Sequence, residues 1–237
     1  MSYTLEVLPR FRRGAFTLFA LVFVISMLLG DRGAVADALT LEPGVVLDGR
    51  QWWTPLTSLV RHPEGLGLLG VLGTLLVQWV IGSRLEGFWG AARYLIMVLV
   101  AGLLGYASSL ALALVVPAVE QLSFAGPAPI NVAAAVAFAL VFAGETMSFG
   151  SRELSPLVLG GIAAGLALVF PMVVALVAGA PVGVAWAVLI PGAVAAVVAT
   201  VFVQPWRKRE NSGKVGRDRP RNQTHLRVVR TPEDMLN

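Results

Sequence analysis

The chain has no cysteine, which excludes disulfides, thiolate zinc sites and cysteine nucleophiles. It is poor in charge as well. Asp, Glu, Lys and Arg make up 14% of its 237 residues, against about 25% in ordinary soluble domains. Histidine is scarcer still, with only His62 and His225. No His/Asp/Glu cluster has metal-ligand spacing, no glycine-rich phosphate loop occurs, and no carboxylate pair lies within an apolar run. No metal and no cofactor is therefore expected.

What fills the chain instead is apolar: 57% hydrophobic residues, 25 glycines and a mean hydropathy of +0.77. Too few polar side chains remain to coat a water-soluble surface. Apolar runs occur at 14–30, 65–82, 94–116, 126–144, 156–178 and 182–203. Each is close to the roughly 20 residues that cross a bilayer, and none contains an Asp, Glu, Lys or Arg. The pattern predicts an all-α membrane protein, a bundle of six transmembrane helices. The fourth run is the shortest, with Pro127 and Pro129 crowding its start, and Pro191 predicts a kink in the sixth.

The basic residues predict the orientation. With the N-terminus inside, fifteen Lys and Arg fall on the inner side, among them Arg10, Arg84, Arg93 and Arg152. Only Arg32, Arg50 and Arg61 fall outside. The expected organisation is a cytoplasmic N-terminus at 1–13, a membrane bundle at 14–203 and a basic cytoplasmic tail at 204–237, in the plasma membrane of a bacterium. The first run also imitates a cleavable signal, with Ala34-Val35-Ala36 after it. Asp31 and Arg32, standing between run and cleavage site, argue that the span is retained.

Nine of the 18 basic residues lie from Arg207 onward, so the formal charge of +4 describes a tail and not an affinity for nucleic acid. That tail is expected to be disordered and held near anionic lipid, or else to dock a soluble partner. Asn222-Gln223-Thr224 matches a glycosylation sequon by chance, on the wrong side of the membrane.

The stretch from Gly49 to Gly90 is the most informative. It reads Gly-Arg-Gln-Trp-Trp-Thr-Pro-Leu-Thr-Ser-Leu-Val-Arg-His, then an apolar run, then Gly82-Ser-Arg-Leu-Glu-Gly-Phe-Trp-Gly90. This resembles the rhomboid family of intramembrane serine proteases, whose loop carries a Trp-Arg motif followed by Thr and His. By resemblance, Trp53 takes the motif's Trp position, Thr57 its Thr and His62 its first His. Gly82, Leu85, Glu86 and Gly90 match the fixed positions of the family's helix-end motif, and Ala92-Arg93-Tyr94-Leu95 fits the start of its third helix. The resemblance implies a rhomboid-like six-helix bundle over about 14–203, with an outer loop between helices 1 and 2. The plain alternative makes Gly82–Gly90 a turn between helices, and Trp52 and Trp53 interfacial anchors.

The chemistry that the resemblance implies is missing. Rhomboids place a Ser nucleophile in Gly-x-Ser-Gly at the start of the fourth helix and a His on the sixth. They add an oxyanion-stabilising His and Asn four residues apart on the second. Here Gly126 is present, but Ala128 stands at the nucleophile position, and Pro129 removes an N–H beside it. Trp186 is the match for the base, and Gly67 and Val71 match the oxyanion pair. A methyl cannot attack a carbonyl, and an unactivated hydroxyl is a weak nucleophile. The remaining polar residues in the spans, Thr74, Gln78, Ser108, Ser109, Asn131 and Thr200, read as interhelical hydrogen-bond partners ahead of substrate ligands. Gly161 with Gly165, and Gly192 with Ala196, read as small faces for close helix packing within the bundle, or for homodimerisation.

The leading expectation is a rhomboid-like protein that is no enzyme and binds transmembrane segments of client proteins without cleaving them. Trp52, Trp53, Glu86 and Trp186 then act as structural residues. The alternative is a small membrane subunit or passive carrier unrelated to proteolysis, and the least favoured reading is an active rhomboid-type intramembrane serine endopeptidase. The non-enzymatic reading rests on no imidazole reaching a buried hydroxyl. His62 turned inward onto a membrane-embedded hydroxyl would overturn it.

Overall fold

The computed structural model describes residues 4–5, 9–29, 33–62, 67–149 and 152–217. Helix α1 spans Arg13–Leu29. A loop follows, containing the short helices α2 (Gly33–Asp37), α3 (Pro43–Leu47) and α4 (Thr54–Thr57) and a single 3-10 turn, Ser58–Val60. The second long segment is continuous: α5 (Gly67–Leu76), a π-helical stretch Val77–Gly82, and α6 (Ser83–Trp89). Then come α7 (Ala91–Ala113), α8 (Ala128–Val141), α9 (Pro156–Val177), α10 (Val182–Ala185) with a 3-10 turn Trp186–Leu189, and α11 (Ile190–Arg217).

This is a helical membrane protein. Four helical stretches are long and apolar enough to cross a bilayer: Leu68–Trp89, Ala91–Ala113, Pro156–Val177 and Val182–Gln204. Two shorter apolar helices, Arg13–Leu28 and Ala128–Val141, coincide with the expected first and fourth spans. The second helix outruns the hydropathy pattern, which stops at Gly82. It continues because the charges that follow are buried and partnered. Arg84 Nη1 lies 3.6 Å from Met147 Sδ. The Glu86 carboxylate accepts the Gly14 N–H at 3.1 Å and the Ala15 N–H at 2.9 Å. Those amides belong to the first turn of α1, where a helix leaves N–H groups unsatisfied and favours negative charge.

One small sheet accompanies the helices. Strands β1 (Thr4–Leu5), β2 (Thr146–Phe149) and β3 (Arg152–Leu154) form a small sheet. β1 runs parallel to β2, with Thr4 opposite Thr146, and β2 runs antiparallel to β3, with Met147 opposite Leu154. Strands this short carry no readable alternation, so the sequence pattern misses them.

Helix α8 sits in the core, with Ala133, Ala134, Ala135 and Ala137 buried. Its alanines let a glycine of α9 come very close: a Cβ on Gly160 would lie 2.7 Å from both the Ala135 carbonyl oxygen and the Ala139 Cβ. The expected Gly161/Gly165 face does not do this. Both glycines are exposed and have nothing within 4 Å of where a Cβ would stand. One helical step of about 100° separates Gly160 from Gly161, and that step turns the Gly161/Gly165 pair out of the bundle. Gly192 does pack inward, 2.6 Å from Leu168 Cδ1 by the same measure. Ala196 is half-buried, and its carbonyl accepts the Thr200 hydroxyl at 2.9 Å.

Pro191 also differs from the expectation of a kink inside one helix. The chain breaks into the 3-10 turn before it, so Pro191 falls in the first turn of α11, where its missing N–H costs nothing. The chain divides into two compact units at Val203 and Gln204. Helical backbone in the second reaches Arg217, and residues 218–237, which include His225 and the Asn222 sequon, lie outside the described residues.

Candidate functional site

The loop is tied down before any site can form on it. Leu41 and Phe124 exchange backbone hydrogen bonds at 3.0 and 2.8 Å, and Gly44 N–H donates to the Glu120 carbonyl at 3.1 Å. The Trp53 indole N–H donates to the Ala38 carbonyl at 2.9 Å, bracing α2 from α4. Thr57 contributes only a long 3.5 Å contact to the Trp53 carbonyl. Gly126, at φ 109°, gives its N–H to the Ser58 carbonyl at 2.8 Å and takes the Tyr106 hydroxyl on its own carbonyl at 2.6 Å. These bonds fix the entry to α8.

Beneath the loop lies a cavity of about 1010 Å³. Its walls come from one face of the second helix (Gly70, Thr74, Val77), the start of α8 (Ala128, Asn131), α9 (Leu159, Leu166, Phe170), the 3-10 turn before α11 (Val188) and the start of α11 (Pro191, Gly192). Almost none of α9 is buried against the rest of the bundle, which leaves the cavity's α9 side thinly closed.

A chain of buried hydrogen bonds runs along this cavity. Tyr94 OH donates to Gln78 Oε1, and Gln78 Nε2 donates to Asn131 Oδ1 at 3.1 Å. Asn131 Nδ2 donates to Thr74 Oγ1 at 2.9 Å, and Thr74 Oγ1 lies 3.1 Å from His62 Nε2. The His62 backbone N–H donates to Ser26 Oγ on α1 at 3.0 Å. The imidazole therefore turns inward and meets a buried hydroxyl, so the absence of an imidazole beside a membrane-embedded hydroxyl, on which the non-enzymatic expectation rested, does not hold. Burial lowers its pKa from 6.5 to about 4, so His62 is neutral at pH 7. With the ring proton on Nδ1, Nε2 is free to accept the Thr74 proton, and every bond in the chain then points toward the histidine. Close approach makes this possible: a Cβ on Gly70 would fall 2.4 Å from His62 Nδ1.

The four degenerate catalytic positions fare differently. Ala128 lines the cavity; Trp186 does not. Trp186 is 42% exposed and gives its indole N–H to the Gly183 carbonyl at 2.8 Å, while Val188, Pro191 and Gly192 face the cavity from that part of the chain. Gly67 begins α5 and Val71 is buried, and neither lines the cavity, whereas Gly70 and Thr74, at the same four-residue spacing, both do. The six-residue π stretch Val77–Gly82 lies between this pair and the Gly82–Gly90 motif. A π turn carries more residues than an α turn, so a register carried across it in α-helical phase is displaced.

The motif residues at the other end of that helix are closely packed or conformationally constrained. A Cβ on Gly82 would collide with the Tyr94 hydroxyl and with Gln78 Oε1, at 2.5 and 2.9 Å. Leu85 is fully buried. Gly90, at φ 83° and ψ 157°, takes a conformation open almost only to glycine and lets α7 leave α6 at once. Among the described residues, no group of three or more His, Cys, Asp or Glu side chains is placed to hold a metal ion.

No protein-family model matches the chain, and no solved structure matches it. Among curated proteins, the rhomboid protease GluP of Bacillus subtilis (strain 168) is 29% identical over 96 residues. The match covers 38% of this chain but only 18% of that protein. It supports a rhomboid-like relationship for part of the chain.

Proposed function

We propose that this rhomboid-like membrane protein holds transmembrane segments of client proteins in its cavity without hydrolysing them. In this reading six helices cross the plasma membrane of a bacterium, both termini are cytoplasmic, and the basic tail lies against anionic lipid. The observation that carries it is the lining of the cavity where the resemblance places nucleophile and base. Ala128 presents a methyl at the head of α8, and Val188, Pro191 and Gly192, which line the same cavity, offer no base. The thinly closed side along α9 supports lateral entry of an apolar helix. Photo-crosslinkers placed at Leu166 and Leu76 should capture membrane proteins at intact length. Capture of nothing but lipid would remove the reading.

The His62–Thr74 contact removes the sequence argument against an enzyme, and it favours a second reading, a hydrolase that uses Thr74 as nucleophile and His62 as base. Two facts weigh against it. A general base works best with a pKa near the operating pH, and burial holds His62 near 4. The Thr74 oxygen also already accepts a bond from Asn131. Incubation in detergent with a fluorophosphonate probe and a generic rhomboid substrate separates the readings. Labelling or cleavage abolished by Thr74→Val would establish the hydrolase and end the non-cleaving proposal.

A further inference from the structure

The buried chain of hydrogen bonds has a direction, and it ends at the cavity. Asn131 Nδ2 donates to Thr74 Oγ1, so the Thr74 hydroxyl proton needs an acceptor elsewhere. The acceptor in reach is His62 Nε2, at 3.1 Å, which places the ring proton on Nδ1. That Nδ1–H has no hydrogen-bond partner among the described residues. It is not sealed inside the protein either, and His62, only 7% exposed, lines the cavity. The last donor of the chain is therefore open to the cavity's occupant. At the mouth, Arg61 already donates to the Thr40 hydroxyl and Glu42 accepts from Ser123, so those charges leave the selection to His62. On the second-helix side the wall is flat. Gly70 and Gly73 line it, and a Cβ on Gly73 would meet nothing within 4 Å. Phe170 adds an aromatic ring to the lining from α9. Leu76 and Leu166 line the crevice while remaining largely exposed, so it opens sideways between them. Its volume of about 1010 Å³ lies at the top of the roughly 300–1,000 Å³ range of small-molecule sites.

We propose that the cavity binds a membrane-soluble quinone. One ring carbonyl accepts the His62 Nδ1–H, the ring lies along Gly70 and Gly73, and the apolar tail leaves between Leu76 and Leu166. Hydrogen-bond complementarity selects the class. A buried donor is costly to leave unanswered, and a carbonyl answers it without bringing a donor of its own. A carboxylate would set a full charge in an apolar crevice against one neutral N–H. A glycerolipid brings several ester carbonyls and a polar headgroup, more than this wall answers. A quinone carries its acceptor in the plane of a flat ring, which suits a wall of glycines, and it reaches the site through the bilayer. The site shares its cavity with the proposed client but requires no client, so either can fail alone.

The full chain, purified in mild detergent and stripped of lipid, is titrated with decylubiquinone carrying isotopically labelled carbonyls. One quinone should bind per chain. The same ring and tail with both carbonyl oxygens replaced by hydrogen should bind about tenfold more weakly, the worth of one buried donor left unanswered. The Nδ1–H resonance of His62, told apart from His225 by a His225→Asn variant, should shift on saturation. The infrared carbonyl stretch should fall below its value in empty micelles, and His62→Phe should abolish that fall. Gly73→Leu projects a side chain into open space at the cavity wall and should expel the quinone. A carbonyl-free analogue that binds as tightly, or a His62 resonance unmoved in the wild type, overturns the assignment whether or not His62→Phe folds. Binding unchanged in Gly73→Leu shows partition into the micelle and overturns the site. Dioctanoylglycerol bound as tightly, with the same shift of the Nδ1–H, would put an ester lipid in the quinone's place and overturn the class. Client crosslinking is read without added quinone.

Discussion

His62 Nε2 lies 3.1 Å from Thr74 Oγ1, both side chains are buried, and the contact joins the loop to the middle of the second helix. The His62 backbone N–H reaches Ser26 on α1, so one residue links the loop to two helices. With its proton on Nδ1 the neutral imidazole accepts from Thr74 at Nε2, and protonation would remove that acceptor.

Stability should therefore fall with acid, and the sign follows from the shift. The folded pKa of about 4 lies below the ordinary 6.5. Above pH 6.5 both folded and unfolded states are neutral and the full stability is present. As pH falls toward 4, the unfolded state takes up a proton that the folded state refuses. This one group should remove about 2 kcal/mol between pH 7 and pH 5. His62→Asn should be less stable at pH 7 yet lose less between the two pH values, as measured by thermal unfolding in detergent. Equal losses in wild type and variant would place the acid sensitivity elsewhere.

Thr74→Val keeps the shape and deletes the hydroxyl, leaving Asn131 Nδ2 and His62 Nε2 without their shared partner. Stranding buried polar groups should cost about 1–3 kcal/mol, and Thr74→Ser should restore most of it. Asn131→Leu added to Thr74→Val should cost less than the sum of the single changes, because the two residues belong to one network. Additive losses in the double-mutant cycle would show that the chain of bonds is not coupled.

Glu86 can be tested at the opposite end of the helix. Its carboxylate accepts two first-turn N–H groups of α1. Glu86→Ala strands both and should cost about 2–4 kcal/mol, combining two lost bonds with the helix-dipole contribution. Glu86→Gln keeps one acceptor oxygen and should fall about midway. A Gln variant as damaged as the Ala variant would mean that charge, not hydrogen bonding, holds the junction.

The sequence revealed the long-range order and missed the local phase. Hydropathy placed the apolar helices within a few residues because hydrocarbon demands uncharged stretches of a set length. It stopped the second helix at Gly82, since hydropathy counts Arg84 and Glu86 as polar and cannot see Met147 or the α1 amides that receive them. Ala128 was found on the cavity wall because Gly126 anchors its register. Gly67, Val71 and Trp186 were not, because a π stretch and a 3-10 turn rotate the helices by amounts that composition does not encode. Thr74, Gln78 and Asn131 were legible as interhelical donors and acceptors, and each does bond to a neighbour. That His62 completes their chain depends on the path of the loop, which no local pattern states.

The glycines of α9 give the sharpest test of helical phase. Gly160 faces α8, where a Cβ would sit 2.7 Å from the Ala135 carbonyl oxygen, and backbone cannot yield as a flexible side chain can. Gly160→Ala should therefore push the helices apart and destabilise by about 1–3 kcal/mol, the usual cost of overpacking. Gly161→Ala and Gly165→Ala meet open space and should stabilise by up to about 1 kcal/mol each through helix propensity alone. Thermal unfolding of the three single variants in detergent, compared at one protein concentration, reads the difference. Loss of stability in Gly161→Ala or Gly165→Ala that grows as the protein is concentrated would reveal a second copy packed on that face; loss at every concentration would mean that this face of α9 packs within the bundle.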